Sequence, residues 1–128
     1  MSETHLALAR RLFAEYGEFC DSVIETIELN FGSQHRNAKI VLNCRHRSLG
    51  YRRIWLILSN LTEFRLQFGE KEEAGALSEG IRLGSAENLL FIDFGSDPDL
   101  LPGETGWQTS STRWCICVDL KIVDKGVY

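Results

Sequence analysis

Two pairs of soft metal ligands sit two residues apart in this chain, Cys44 with His46 and Cys115 with Cys117. In an extended strand that spacing puts both members of a pair on one face, and two neighbouring strands with matched faces would offer a zinc ion thiolate and imidazole ligands. Structural zinc sites usually draw their ligands from tight turns with two or more intervening residues. Cys44 also shares its parity with Ile40 and Leu42, so a small buried thiol is its expected role, and no metal or cofactor is expected.

Nucleophilic chemistry needs a thiol or hydroxyl beside a base that a third group orients. The three histidines, His5, His35 and His46, have no distinctive flanking sequence, and Cys20 beside Asp21 has no evident imidazole partner. The carboxylate pairs Glu72-Glu73 and Asp97/Asp99 fall in stretches that read as solvated loops, where acids keep ordinary pKa values. A non-enzyme is expected, and a small enzyme with Cys20 or Cys44 as nucleophile is kept as an alternative.

Binding signals are more definite. Between His35 and Trp55 cations are interleaved with Tyr51 and Trp55, the pattern by which basic grooves with aromatic platforms hold single-stranded nucleic acid. Arg45, Arg47, Tyr51, Arg52 and Arg53 are the candidates for such a role. The chain as a whole carries a net charge of −4, however, with a pI near 5.4, whereas dedicated nucleic-acid domains are usually basic. A protein partner is therefore expected ahead of nucleic acid. For that partner the candidate contacts are Asp97, Asp99, Leu100, Leu101 and Trp107, apolar anchors set among acids in one long loop. The competing reading has those leucines folding back over the open end of a sheet, since long loops are often packed by their own side chains.

The elements that must position these groups show in the hydrophobic period. Leu6, Ala9, Phe13 and Tyr16 recur at spacings of three and four, with Leu8 and Leu12 widening the stripe, so the chain opens with a helix that Gly17 ends. Strict alternation then takes over. Ile27, Leu29 and Phe31 share one parity, followed by Ile40, Leu42 and Cys44, then Ile54, Leu56 and Leu58, then Phe64, Leu66 and Phe68. Residues 69–80 read as a loop or single turn, Ile81 and Leu83 as a short strand, and Leu89 to Phe94 as a strand buried on both faces. Both prolines lie in the connection from Gly95 to Gly106. A last strand is expected to carry Trp114, Ile116, Val118, Leu120 and Ile122 inward, with Cys115 and Cys117 on the opposite face.

These elements predict an α+β fold. Its N-terminal helix packs on a twisted, mostly antiparallel sheet of about seven strands, half-barrel or sandwich-like, in a single domain over residues 1–128. The charge is unevenly spread: six cations and no acid lie between Leu29 and Thr62, then ten acids stand against Arg65, Lys71 and Arg82 from Glu63 to Glu104. Four cysteines without the spacing of a secreted disulfide scaffold, and a start lacking the apolar core of a signal peptide, point to the cytoplasm. No apolar run approaches the roughly 20 residues that span a bilayer.

The stretch Glu18-Phe19-Cys20-Asp21-Ser22-Val23-Ile24 is followed by a strand and a basic second strand. After these comes Trp55-Leu56-Ile57-Leu58, leading into Phe64-Arg65-Leu66-Gln67-Phe68. Over most of the chain this pattern resembles small bacterial immunity-type proteins associated with polymorphic toxins, whose first strand often opens with an aromatic-histidine-aspartate-small sequence. Cys20 stands here where those proteins carry histidine. The resemblance implies an intracellular non-enzyme that binds and neutralises a cognate toxin.

Overall fold

The computed structural model describes residues 2–32, 35–67, 76–77, 80–95 and 100–127. Helix α1 (Ser2–Glu15) buries Leu6, Ala9 and Phe13, and Tyr16 just beyond its end, on the stripe that the spacing predicts; Leu8 is half-exposed. Gly17, at φ +62°, ends the helix and opens a 3₁₀ turn over Gly17–Phe19. Glu18, Phe19 and Asp21 also take positive φ, an unfavourable backbone for residues with a side chain. What offsets that strain is the placement of Phe19, which is wholly buried. Its ring meets Phe13 edge-on at 4.7 Å and stacks on Tyr16 at 5.4 Å.

Nine strands follow among the described residues: β1 (Ser22–Phe31), β2 (Arg36–His46), β3 (Gly50–Ser59), β4 (Glu63–Leu66), β5 (Ala76–Leu77), β6 (Arg82–Ala86), β7 (Leu89–Asp93), β8 (Arg113–Cys117) and β9 (Asp119–Val127). A short helix α2 (Trp107–Ser110) precedes β8. The strands divide between two antiparallel sheets instead of forming one sheet of about seven: a five-stranded sheet ordered β5-β1-β2-β3-β9 and a four-stranded sheet ordered β4-β8-β7-β6.

The chain passes between sheets at two adjacent points. After Ser59 it turns through Asn60, at φ +55°, and enters β4; after Cys117 it breaks at Val118 and enters β9. Val118 N–H donates to the Ser59 carbonyl at 3.2 Å and Thr62 N–H to the Ile116 carbonyl at 2.8 Å, which ties the two crossings together. This break overturns the expected parity of the last strand. Cys115 and Cys117 point into the main core, which Leu120 rejoins after the break, while Trp114 and Ile116 face the other way. A single continuous strand keeps its parity; a change of sheet resets it.

One cluster holds Ala38, Ile40, Leu42 and Cys44 of β2, Ile54, Leu56 and Leu58 of β3, and Leu90 and Ile92 of β7 with Phe94, together with the buried side of α1. The expected parities of β2 and β3 are those observed. In β1, Ile27 and Leu29 pack only partly against the core and Phe31 is exposed, its ring 6.0 Å from that of Phe64. Phe68 and most of residues 69–80 lie outside the described residues, apart from β5 and Gly80. A second cluster of Phe91, Trp107, Trp114 and Ile116 covers the far side of the four-stranded sheet, so β7 and β8 are buried on both faces.

Candidate interaction surfaces

The long loop is divided by the structure. Asp97 and Asp99 lie outside the described residues. Leu100 packs against the second cluster and Leu101 is 67% exposed. Trp107 is 1% exposed, its ring 5.6 Å from Phe91 and 5.4 Å from Trp114, so it serves as core and is not on the surface for a partner. Nearby, Asp93 is fully buried. It accepts hydrogen bonds from Ser111 Oγ (2.7 Å) and Gly95 N–H (2.8 Å) and pairs with Arg82.

Arg82 leads to a half-open groove of about 500 Å³ between α1, the 3₁₀ turn, the start of β6 and Leu101-Pro102. Its walls include Phe13, Ile81, Leu83 and Leu101, and its polar lining consists of Arg10, Glu18, Cys20 and Arg82. Arg10 Nη2 is spent on the Leu83 carbonyl at 3.1 Å. Cys20 is exposed there, and Gly80 is packed so closely that a Cβ would meet the Glu18 carbonyl at 2.4 Å and Cys20 Sγ at 3.0 Å. The groove brings a thiol, a carboxylate and two guanidinium groups together, with no imidazole among its lining residues.

The other cysteines are buried. Desolvation pushes the Cys44, Cys115 and Cys117 thiols from 9.0 up to about 12, which keeps them neutral and makes them poor nucleophiles and poor metal ligands. His46 works locally, its Nδ1 accepting the backbone N–H groups of Ser48 (3.1 Å) and Leu49 (3.2 Å) and so holding the β2–β3 turn. Among the described residues no group of three or more His, Cys, Asp or Glu side chains is placed to hold a metal ion.

The five basic-segment candidates separate. Arg52 turns to Asp124, with Nε 3.1 Å from both carboxylate oxygens and Nη2 3.0 Å from Oδ1. Burial pulls the Asp124 carboxyl upward, but hydrogen bonds from Arg52, Gly126 N–H and Tyr16 Oη outweigh it and hold the group below its ordinary value. The Tyr16 hydroxyl is itself pushed upward, by burial first and then by Asp124. Arg47 sits past the end of β2, where its N–H donates to the Glu15 carbonyl. Only Arg45, Tyr51 and Arg53 belong to the outer face of the five-stranded sheet, Arg45 opposite Tyr51 and Arg53 opposite Asn43.

That outer face carries residues which the basic segment alone does not indicate. Thr26, Val41, Trp55 and Val123 form one row across β1, β2, β3 and β9, and Glu28, Lys39, Ile57 and Lys121 form the next. Val41, Trp55, Ile57 and Val123 are half-buried, and those of β2 and β3 alternate with inward residues of zero exposure. The ammonium groups of Lys39 and Lys125 lie 4.1 and 4.3 Å from the centre of the Trp55 ring. Lys39 also pairs with Glu28 at 2.9 Å, and Arg53 with Glu25 at 3.3 Å. The odd-numbered residues of β9 were the available sequence signal, because Lys121, Val123 and Lys125 alternate with Leu120, Ile122 and Asp124. No helix among the described residues is long and apolar enough to cross a membrane. Comparison of the chain with protein-family models, curated proteins and solved structures finds no match.

Proposed function

We propose that this chain is a non-enzymatic, cytoplasmic protein-binding domain, of the immunity type that its sequence resembles, and that it engages a cognate toxin through the outer face of the five-stranded sheet. The observation that carries this reading is that face itself. No described element covers it, yet it holds Trp55 at the centre of a row of aliphatic side chains, bordered by Arg45, Tyr51 and Arg53. Tryptophan, tyrosine and arginine are the residues that dominate protein interfaces, and they act best when a ring of polar groups shuts water out around them. In this reading the sandwich-like packing of α1 and the four-stranded sheet behind the core is the support that keeps the face rigid. Leu101, beside the groove, forms a separate and smaller contact.

Nucleic acid is the second reading, because the cations of β2, β3 and β9 do share the face. The acids Glu25 and Glu28 border the β1 side of the face and take up Arg53 and Lys39, which leaves fewer cations for a phosphate backbone. The test of the protein reading is co-expression with the product of an adjacent toxin-like gene. The parent chain should restore growth and form a complex that survives size-exclusion chromatography, while Trp55→Ala should lose both with an unchanged far-ultraviolet spectrum. Full protection by Trp55→Ala would remove this face from the function.

A further inference from the structure

The charge on the outer sheet face is opposite to that of the whole chain. Its cations are Lys39, Arg45, Arg53, Lys121 and Lys125, and its acids are Glu25, Glu28 and Asp119. Two of the cations are already neutralised within the face, Lys39 by Glu28 and Arg53 by Glu25. Arg45, Lys121 and Lys125 have no carboxylate partner among the described residues. These three stand around the apolar row, Arg45 toward one end of the β2–β3 pair and the two lysines on β9.

A cation resting against an indole ring gains from the ring's negative face but keeps its charge, so Lys125 remains able to pair with an incoming anion. An apolar row next to unneutralised cations is complementary to an apolar patch bordered by carboxylates, and like-charged partners are rejected at the same place. We propose, resting on the protein-binding reading above, that the partner presents aspartate or glutamate side chains around an apolar centre. The carboxylates pair with Lys121, Lys125 and Arg45, and the apolar centre packs on Trp55, Val41 and Val123.

A random 12-residue peptide library displayed on phage, selected on the full-length protein and depleted on the Trp55→Ala variant, tests this without knowledge of the natural partner. The expected winners carry Asp or Glu beside aromatic or aliphatic residues. Their affinity should fall at least tenfold in the Lys121→Glu/Lys125→Glu variant, and also when salt is raised from 50 to 500 mM. Winners that require Trp55 but are neutral or basic would overturn the acidic assignment while leaving the protein-binding reading in place. Failure to recover any Trp55-dependent peptide, with a 20-residue oligothymidine bound by the parent and released by the lysine variant, would overturn both in favour of nucleic acid. A concentration-dependent dimer in analytical ultracentrifugation that the lysine variant abolishes would assign the face to a second copy of this chain instead.

Discussion

Replacing Asp93 by alanine removes the acceptor at the centre of a buried polar cluster. The carboxylate has no exposure, and three donors converge on it: Ser111 Oγ, Gly95 N–H and the Arg82 guanidinium. Gly95 can lie this close only because it has no side chain, since a Cβ there would stand 2.7 Å from Ser111 Oγ and 3.1 Å from Asp93 Oδ1. Without the carboxylate, two buried donors and a guanidinium with only 26% side-chain exposure lose this shared acceptor. Breaking a buried ion pair from one side costs about 3–5 kcal/mol. For a domain of 128 residues the unfolding entropy is about 0.27 kcal/mol/K, so the midpoint of thermal unfolding should fall by about 11–19 °C. Urea titration followed by circular dichroism on the parent, Asp93→Ala, Arg82→Ala and the double variant gives the coupling. The double variant should lose at least 1 kcal/mol less than the sum of the single losses, as for groups in one network. A loss below about 1 kcal/mol for Asp93→Ala, or additivity within about 0.5 kcal/mol, would refute the account of this cluster.

Trp114→Ala should cost about 3–5 kcal/mol, because it opens the second cluster and removes the indole N–H that donates to the Gln108 and Ser111 carbonyls; an unchanged urea midpoint would show that cluster to be dispensable. Alkaline pH should destabilise the fold in a definite window. The thiols of Cys44, Cys115 and Cys117 hold their protons to about 12 when folded and release them near 9.0 when unfolded, so their contribution is complete below pH 9 and is lost as pH rises toward 12. Urea midpoints that do not decline between pH 8.5 and 11 would contradict this sign. Of the four thiols only the exposed Cys20 should react at once with an aromatic disulfide reagent under native conditions, the rest waiting for denaturant; two fast-reacting thiols per chain would disprove the burial assigned here.

What the sequence determined by itself is the local order. The three-and-four spacing of Leu6, Ala9, Phe13 and Tyr16 makes α1 a one-sided helix, and alternation alone puts Ile40, Leu42 and Cys44 on one face of β2 and Ile54, Leu56 and Leu58 on one face of β3. Those patterns are properties of neighbouring residues, so they are present before any tertiary contact forms. Three features depended on contacts between distant segments. Alternation states that Trp114 and Cys115 face opposite ways, but not which of two apolar faces meets the main core. That was decided by the crossing at Val118, which is bonded to Ser59, 59 residues earlier in the chain. Trp107 looks the same in sequence whether it anchors a partner or fills a core, and the rings of Phe91 and Trp114 closed around it. Lys39, Trp55 and Lys125 come from three strands, and only the β2-β3-β9 register gathers them on one uncovered face, because register across a sheet is set by pairing between strands and not by the pattern within any one of them.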